Sequence, residues 1–256
     1  MQRYFVTPGQ FAGDRVEITG DDARHIIKVM RGKLGDKFIV SDGESREALV
    51  GIEEMDGTCV QAAVIEELEM KNEPRLAVTI AQSLPKGDKM ETVIQKCTEI
   101  GAVSFVPFLS ERTIVQYDAK KEGKRLARWR KIAKEAAEQA HRNRIPSVEQ
   151  PLSWKQLLAT FSDYDAVYFC YEKEEGSQIG DALKLFVARA LQEPLARASL
   201  LLVVGPEGGF TEEESRAAEA AGAVSVGLGS RILRCETAGM AALVCALYES
   251  GEMGGV

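Results

Sequence analysis

The sequence predicts an α/β protein with a parallel sheet, preceded by a smaller β-rich domain. After residue 72, apolar strand-like runs alternate with helical patterns, as in parallel sheets that carry helices on both faces. The run "SLLLVVG" is apolar throughout, which suits a strand buried on both faces. Residues 1–72 instead contain short Val-, Ile- and Phe-rich runs separated by Gly and Asp, which is typical of hairpins. We therefore predict domains at 1–72 and 73–256.

In the first domain, four runs rich in Val, Ile, Phe and Thr predict short strands: "RYFV", "RVEIT", "DKFIVSDG" and "ALVGIEEMDGTCVQAAVIEEL". The pieces "SDG" and "MDG" mark hairpin turns, and "DDARHIIKVM" favours one short helix. These runs favour a small β-barrel, with a β-sandwich as the alternative. The polar stretch "EMKNEPR" is the expected link to the second domain.

The second domain is predicted to contain five strands, each followed by a helix. The strands are "LAVTIAQSL", "VSFVPFLS", "DAVYFCYE", "SLLLVVG" and "AVSVGLG", and the helices are "KGDKMETVIQKCTEIGA", a long basic segment, "SQIGDALKLFVARALQ", "TEEESRAAEAAG" and "ETAGMAALVCALYES". The basic helix is expected to end near Arg142, because Pro146 cannot continue an α-helix.

Composition narrows the class of protein. The 256 residues are 45% hydrophobic and 28% charged, which is the balance of a globular domain rather than of a disordered chain. We expect no membrane association, because no apolar run approaches the ~20 residues that span a bilayer, and no secretory signal. Five scattered cysteines and two histidines predict neither a disulfide framework nor a metal site. A cytoplasmic protein is the simplest expectation.

Charge is segregated along the chain. Between Lys120 and Arg144 there are ten Lys and Arg against three Asp and Glu, a local formal charge of +7. Since the whole chain carries −7, the remainder sums to −14. A concentrated basic element on an acidic protein predicts an anionic partner at one face, although a solvated helix with unbalanced charge is the alternative.

The stretch "LLVVGPEGGFTEEE" has the strand–glycine loop–helix order that many nucleotide sites use. It lacks the lysine of a phosphate-binding P-loop and the spacing of a dinucleotide fingerprint. Glu207 would repel a polyphosphate, so the loop predicts a ligand with an adenosine-like part and no phosphate chain. Whether Glu207 contacts that ligand stays open. Thr211 and Glu214 predict a capping box for the next helix.

A second stretch, "VGLGSRILRCETAGMAAL", places Arg231 and Arg234 in a short loop between a strand and a helix. Open α/β sheets bind ligands at the carboxyl ends of their strands. Tight helix packing accounts for the small residues of this stretch, but it does not account for two arginines in the loop.

Together these two stretches resemble the C-terminal motifs of the SPOUT methyltransferases. More closely, they resemble the RsmE-type methyltransferases, which act on the uracil N-3 of 16S ribosomal RNA. The stretches "HIIKVMRGKLGD", "LPKGDKMETVIQKCTEIGA" and "EAAEQAHRNRIP" fit the same family in the same order, so the resemblance spans almost the whole chain. One position departs from it: His141 lies where the family has a small residue.

The resemblance implies a trefoil-knotted methyltransferase domain with a parallel sheet, preceded by a PUA-like β-barrel that helps to grip RNA. It also implies a homodimer that binds S-adenosyl-L-methionine among three loops and methylates the 16S ribosomal RNA of the small subunit. The cofactor contacts expected from it are Tyr171, Glu172, Gly205, Pro206, Glu207, Gly208, Gly209, Leu228, Gly229, Ile232, Leu233, Thr237 and Ala238. A SPOUT enzyme with another RNA target, or a non-catalytic RNA-binding assembly factor, are the alternatives.

Methylation of uracil N-3 requires loss of its proton, so a base or a cation beside the ring is expected. Within the matching motifs the candidate catalytic residues are Arg234 for charge stabilisation or target positioning, Glu236 as a base or a helix-start carboxylate, and Arg142. The candidate RNA contacts are His25, Arg31, Lys86, Lys96 and Arg112, with a histidine buried against its own helix as the alternative for His25. Cys235 is expected to be a small buried residue rather than a nucleophile.

Overall fold

The computed structural model describes residues 1–114, 119–174, 176–193 and 197–254, with side chains in the long basic helix described from residue 122 onward. The side chains of Lys120 and Lys121, which belong to the predicted basic segment, therefore lie outside the described residues. The chain divides into two compact units, residues 1–73 with 137–145, and residues 74–136 with 146–256. Among the described helices, none combines the length and apolar character needed to cross a membrane.

The first unit is a curled, mostly antiparallel sheet of six strands in the order β1-β4-β5-β6-β3-β2. Its strands are β1 (Arg3–Phe5), β2 (Phe11–Ala12), β3 (Arg15–Thr19), β4 (Lys37–Ser41), β5 (Glu47–Met55) and β6 (Cys59–Leu68). The predicted helix is present as α1 (Gly20–Arg24), which continues into a π-helical turn, His25–Val29. Alternate strand residues such as Val16, Ile18 and Val50 are buried in one core, which explains their spacing of two.

A buried ionic cluster lies within this unit. Arg3 pairs through both terminal nitrogens with Glu47, and both side chains are almost completely buried. The amide of Asn143 donates to the Glu47 carboxylate at 2.6 Å, and the Arg3 guanidinium donates to the carbonyl of Arg142 at 2.9 Å. The Arg142 guanidinium binds Glu73 through two hydrogen bonds of 2.9 and 2.6 Å. Charge in this cluster is therefore matched by direct partners.

The second unit is built on a parallel sheet in the order β10-β8-β7-β12-β11-β13, with β9 also paired to β8. Its strands are β7 (Leu76–Ser83), β8 (Ser104–Leu109), β9 (Ser147–Val148), β10 (Leu152–Ser153), β11 (Ala166–Cys170), β12 (Ala198–Val204) and β13 (Val224–Val226). The helices are α2 (Lys89–Ile100), α3 (Ala119–Gln139), α4 (Trp154–Ala159), α5 (Ile179–Ala190), α6 (Glu212–Ala220) and α7 (Cys235–Glu249). The five predicted strands and their helices are present; β9, β10 and α4 were not predicted.

Strand β12 lies at the centre of this sheet, between β7 and β11. Leu200, Leu202 and Val204 face a core formed with α2, α5 and α7. Leu201 and Val203 face the opposite core, formed with aromatic residues and with α4 and α6. The prediction from "SLLLVVG" of a strand buried on both faces is confirmed.

The structure of two helix ends, the start of α6 and the residues after α3, agrees with the sequence patterns there. The Thr211 hydroxyl accepts from the backbone N–H of Glu214 at 3.2 Å, and the Glu214 carboxylate accepts from the backbone N–H of Thr211 at 2.9 Å. The predicted capping box is thus confirmed. Beyond the end of α3, His141 has φ 57°, a left-handed conformation that glycine adopts most easily. This conformation explains why a small residue is expected there.

Candidate functional site

A cavity of about 540 Å³ opens where β11, β12 and β13 end. Because the three strands are parallel, their carboxyl ends and the loops that follow them converge at one edge of the sheet. The described lining comprises Lys89, Cys170, Tyr171, Glu172, Glu174, Val204, Gly205, Pro206, Glu207, Gly208, Gly209, Gly227, Leu228, Gly229, Ser230, Arg231, Ile232, Leu233, Arg234, Cys235 and Ala238. Every predicted cofactor contact except Thr237 is among them.

Two glycines of the loop after β12 lie where a side chain would have little or no room. The ring of Phe210 packs on Gly205 so closely that a Cβ there would lie 3.0 Å from a ring carbon. Gly209 has φ +64°, and a Cβ on it would lie 2.2 Å from a carboxylate oxygen of Glu172. The carbonyl of Gly205 accepts from the side-chain amide of Gln82 at 3.1 Å, which fixes the start of the loop to β7. The main chain of this loop therefore forms part of the cavity wall without intervening side chains.

Glu207 turns toward the N-terminus of α2. Its carboxylate accepts from the Lys89 ammonium at 2.8 Å and from the backbone N–H of Lys86 at 3.1 Å. Burial raises the pKa of the Glu207 carboxyl, but hydrogen bonds from Lys89, from its own N–H and from Lys86 outweigh it, so the pKa lies below its usual value. This carboxylate is ionised and already partnered within the protein.

Glu236, in the first turn of α7, shares the same lysine. Its carboxylate lies 3.5 Å from the Lys89 ammonium and accepts from the Cys235 thiol at 3.2 Å. Burial raises the pKa of Glu236, but its own N–H, the Cys235 thiol and Lys89 outweigh burial and lower it overall. Burial and the bond to Glu236 raise the pKa of the Cys235 thiol to about 12. A protonated thiol is a poor nucleophile, in line with the expected role of Cys235.

The loop before α7 presents two arginines at the cavity. Arg231 and Arg234 are both exposed, and neither guanidinium has a hydrogen-bond or ion-pair partner among the residues that the structure describes. The main chain of Arg234 caps α7, because its carbonyl accepts from the N–H groups of Thr237 and Ala238 at 2.9 Å each. The side chain of Arg234 is thus left available for a ligand.

The candidate RNA contacts in the second unit lie outside the cavity lining. Lys96 pairs with Glu99 at 2.8 Å on α2. Arg112 donates to the carbonyl of Gly208 at 2.8 Å and so braces the glycine loop. Lys86 meets Glu207 only through its main chain, and its side chain is exposed.

Three further candidates belong to the first unit. The Tyr4 hydroxyl and the Nδ1 atom of His25 form a hydrogen bond of 2.9 Å, so one ring nitrogen of this half-buried histidine is already engaged. Arg31 is exposed and has φ 53°, a conformation rare for a residue with a side chain. Arg142 is buried and held by Glu73, as described above. The roles predicted for these three residues stay predictions.

Sequence reasoning missed Lys89. Its position carried a usable signal, because a cation in the first turn of a helix faces the positive end of the helix dipole. A lysine there implies nearby carboxylates, which the structure identifies as Glu207 and Glu236.

The outer face of α3 is basic, as the charge count predicted. Lys124, Arg128 and Lys131 are exposed on it, while Leu126, Trp129 and Ala133 face the core. Arg128 pairs with Glu91 at 2.7 Å, and Lys131 lies 3.7 Å from Glu135. Among the described residues, no group of three or more His, Cys, Asp or Glu side chains has an arrangement that could hold a metal ion.

Comparisons with known proteins agree on both parts of the chain. Residues 71–247 match the model of an RNA methyltransferase domain, and residues 18–65 match that of an RNA methyltransferase PUA domain. The chain is similar to the ribosomal RNA small subunit methyltransferase E of Bacillus subtilis, with 41% identity over 98% of this chain and 97% of that protein. Its counterpart in Synechocystis is 36% identical over 97% of this chain and 78% of that protein.

A solved structure gives the same result. The ribosomal RNA small subunit methyltransferase E of Neisseria gonorrhoeae, crystallised with S-adenosyl methionine, superposes with a TM-score of 0.83 at 29% identity. The superposition covers 97% of each chain. Fold and domain order are therefore those of an RNA methyltransferase with an N-terminal PUA domain.

Proposed function

Because this chain belongs to the ribosomal RNA small subunit methyltransferase E family, we propose that it methylates the N-3 atom of a uridine in 16S ribosomal RNA. S-adenosyl-L-methionine is the methyl donor, and the reaction takes place in the cytoplasm. The observation that carries the proposal is the glycine-walled cavity at the carboxyl ends of β11, β12 and β13, with Arg231 and Arg234 at its edge.

The cavity suits this cofactor. Its volume lies within the range of small-molecule sites, and main-chain groups of the loop after β12 are exposed to it for hydrogen bonding to an adenosine. Glu172 lines the cavity and has no partner among the described side chains, so its carboxylate is available to a hydroxyl or ammonium group of the ligand. The cations at the edge of the cavity, Arg231 and Arg234, have no described partner and stay available to the RNA substrate.

When bound, S-adenosylmethionine supplies an electrophilic methyl group on a sulfonium. The residues of this chain have two tasks: to place uracil N-3 in line with that methyl group, and to make loss of the N-3 proton easier. A cation beside the ring stabilises the resulting anion, and an arginine whose charge is not already neutralised does so most effectively. Arg234 meets this requirement, because its guanidinium lies at the cavity without a described partner.

Glu236 is less suited to be the base. A general base works best when its pKa lies near the working pH, whereas the pKa of Glu236 is lowered below that of an ordinary carboxyl group. Its contacts with Lys89 and Cys235 favour a positioning role instead.

The exposed basic face of α3 supports an RNA substrate. Lysine and arginine bind phosphates without reading sequence, so Lys124, Arg128 and Lys131 would fix the RNA on the enzyme rather than select the uridine. The target base must leave its stack to approach a methyl group inside a cavity, so an unpaired or flipped uridine is expected.

The proposal is tested by nucleoside mass spectrometry of 16S ribosomal RNA from cells with and without the gene. We expect N-3-methyluridine to disappear in the deletion strain and to return when the wild-type chain is expressed. Unchanged N-3-methyluridine would rule out this target. Loss of a different modified nucleoside would identify another RNA methyltransferase, and failure of the purified protein to bind S-adenosylmethionine would favour a non-catalytic assembly factor.

We also propose that the chain forms a homodimer through α7. Helix α7 carries its own apolar residues on all of its faces, and a helix with that pattern is normally buried on all sides. One side packs in the core, but Val244 and Tyr248, one helical turn apart, stay exposed, with Met240 half-buried in line with them. A second copy is the partner that would cover this stripe.

Sedimentation at micromolar concentration should give a dimer for the wild-type chain. The double variant Val244→Glu with Tyr248→Glu should sediment as a monomer, because two carboxylates would be buried without partners in the interface. A wild-type monomer, or a dimeric double variant, would contradict the proposed interface. Lys155→Glu, on the exposed side of α4, is the matched charge control and should remain dimeric.

A further inference from the structure

Lys89 connects three segments that surround the cavity. It is the first residue of α2, its ammonium binds Glu207 of the loop after β12 at 2.8 Å, and it lies 3.5 Å from Glu236 at the start of α7. The side chains of these three residues are between 19% and 31% exposed, so bulk water reaches the group only in part. No other described cation pairs with either carboxylate.

Electrostatics makes this lysine hard to replace. Without it, Glu207 and Glu236 would leave two negative charges at the cavity edge with no described cation paired to either. Glu207 would retain the N–H of Lys86 and the favourable end of the α2 dipole. Glu236 would retain the thiol of Cys235, its own N–H and the favourable end of the α7 dipole. The lysine therefore balances one of the two negative charges and contacts both segments that carry them.

We propose that Lys89 is a positioning residue for the methyl donor: by bridging Glu207 and Glu236, it holds the glycine loop and the start of α7 at the spacing that the cofactor requires. This inference rests on the proposed function, because it assigns the cavity to S-adenosylmethionine. It also gives Glu207 a role, since this glutamate serves as the anchor of its loop. The preorganised loop loses less conformational entropy when the ligand binds.

The first test uses the cofactor-free protein. In Lys89→Met, amide hydrogen exchange of the segments 205–211 and 235–239 should accelerate about tenfold, because charged hydrogen bonds that restrain both segments are removed. Lys89→Arg keeps the cation and should restore exchange to within about threefold of wild type. Unchanged exchange in Lys89→Met would overturn the proposal.

The second test measures binding by titration calorimetry with S-adenosylmethionine. The dissociation constant of Lys89→Met should rise about tenfold, and that of Lys89→Arg should rise much less. Lys86→Met is the matched control: it removes a lysine three positions away but keeps the N–H that Glu207 accepts, so its dissociation constant should stay within about twofold of wild type. An equal loss in Lys86→Met would mean that general positive charge, not the bridge, is responsible.

A double-mutant cycle separates the bridge from a purely structural lysine. Once Glu207→Gln has weakened the anchor, adding Lys89→Met should cost clearly less than it does alone, because the two side chains act through one contact. Full additivity would overturn the proposal. If the wild-type protein itself bound no S-adenosylmethionine, the proposed function would fail, while the exchange experiment would still report on the bridge.

Discussion

An Arg234→Gln variant is expected to bind S-adenosylmethionine with nearly wild-type affinity and to lose about 100-fold in kcat. The reason is the charge that develops on the substrate. Uracil N-3 becomes nucleophilic only as its proton leaves, and the guanidinium of Arg234 is exposed at the cavity without a described partner. Glutamine keeps the length and polarity of much of the side chain but cannot stabilise the anion.

The variant should remain folded, because Arg234 caps α7 with its main-chain carbonyl rather than with its side chain. Single-turnover kinetics with a 16S ribosomal RNA fragment separate the chemical step from binding and product release. Arg231→Gln, three residues earlier in the same exposed loop, is the matched control and should mainly raise KM for RNA. If both variants lost kcat equally, general charge at the loop rather than Arg234 would be responsible. A wild-type kcat in Arg234→Gln would remove this arginine from the mechanism.

Much of the second unit could be predicted from local sequence. Strand β12 is buried on both faces, and its apolar run "SLLLVVG" requires such an environment. Thr211 and Glu214 lie at the spacing of a capping box and form one. The loops that line the cavity could be placed because parallel strands end at one edge of a sheet. The ligand could be identified only through the family resemblance. The loop by itself argues against a polyphosphate, because it lacks a lysine and carries Glu207, but it does not specify which cofactor binds.

Contacts between distant residues could not be predicted in the same way. Lys89 and Glu207 are 118 positions apart, and only the parallel order of β7 and β12 brings their loops together. Arg142 was a candidate for RNA binding or catalysis because it lies in the family-like stretch "EAAEQAHRNRIP", yet it is buried with Glu73, 69 positions away. From the sequence, an arginine in a basic segment is predicted to be exposed, because its carboxylate partner lies far away along the chain.

The largest effect on stability is expected from Glu47→Gln. Arg3 and Glu47 form an almost completely buried pair, and Glu47 also accepts from the amide of Asn143. The variant leaves the Arg3 guanidinium buried without a counter-charge, and the new amide group has only one acceptor oxygen for both donors. Breaking a buried pair in this way costs about 3 to 5 kcal/mol. Native-state hydrogen exchange of the β4 and β5 amides should show an opening free energy lower by about that amount.

Two further variants identify the cause of this loss. Glu67→Gln removes the carboxylate of the surface pair Arg46–Glu67, on the strand next to Glu47, and should cost at most about 1 kcal/mol. Arg3→Met combined with Glu47→Leu removes both buried charges at once. Because the unpaired charge is then absent, this double variant should be more stable than Glu47→Gln, although it has lost more hydrogen bonds. If the double variant were the less stable of the two, the hydrogen bonds and not the charge balance would hold this cluster together.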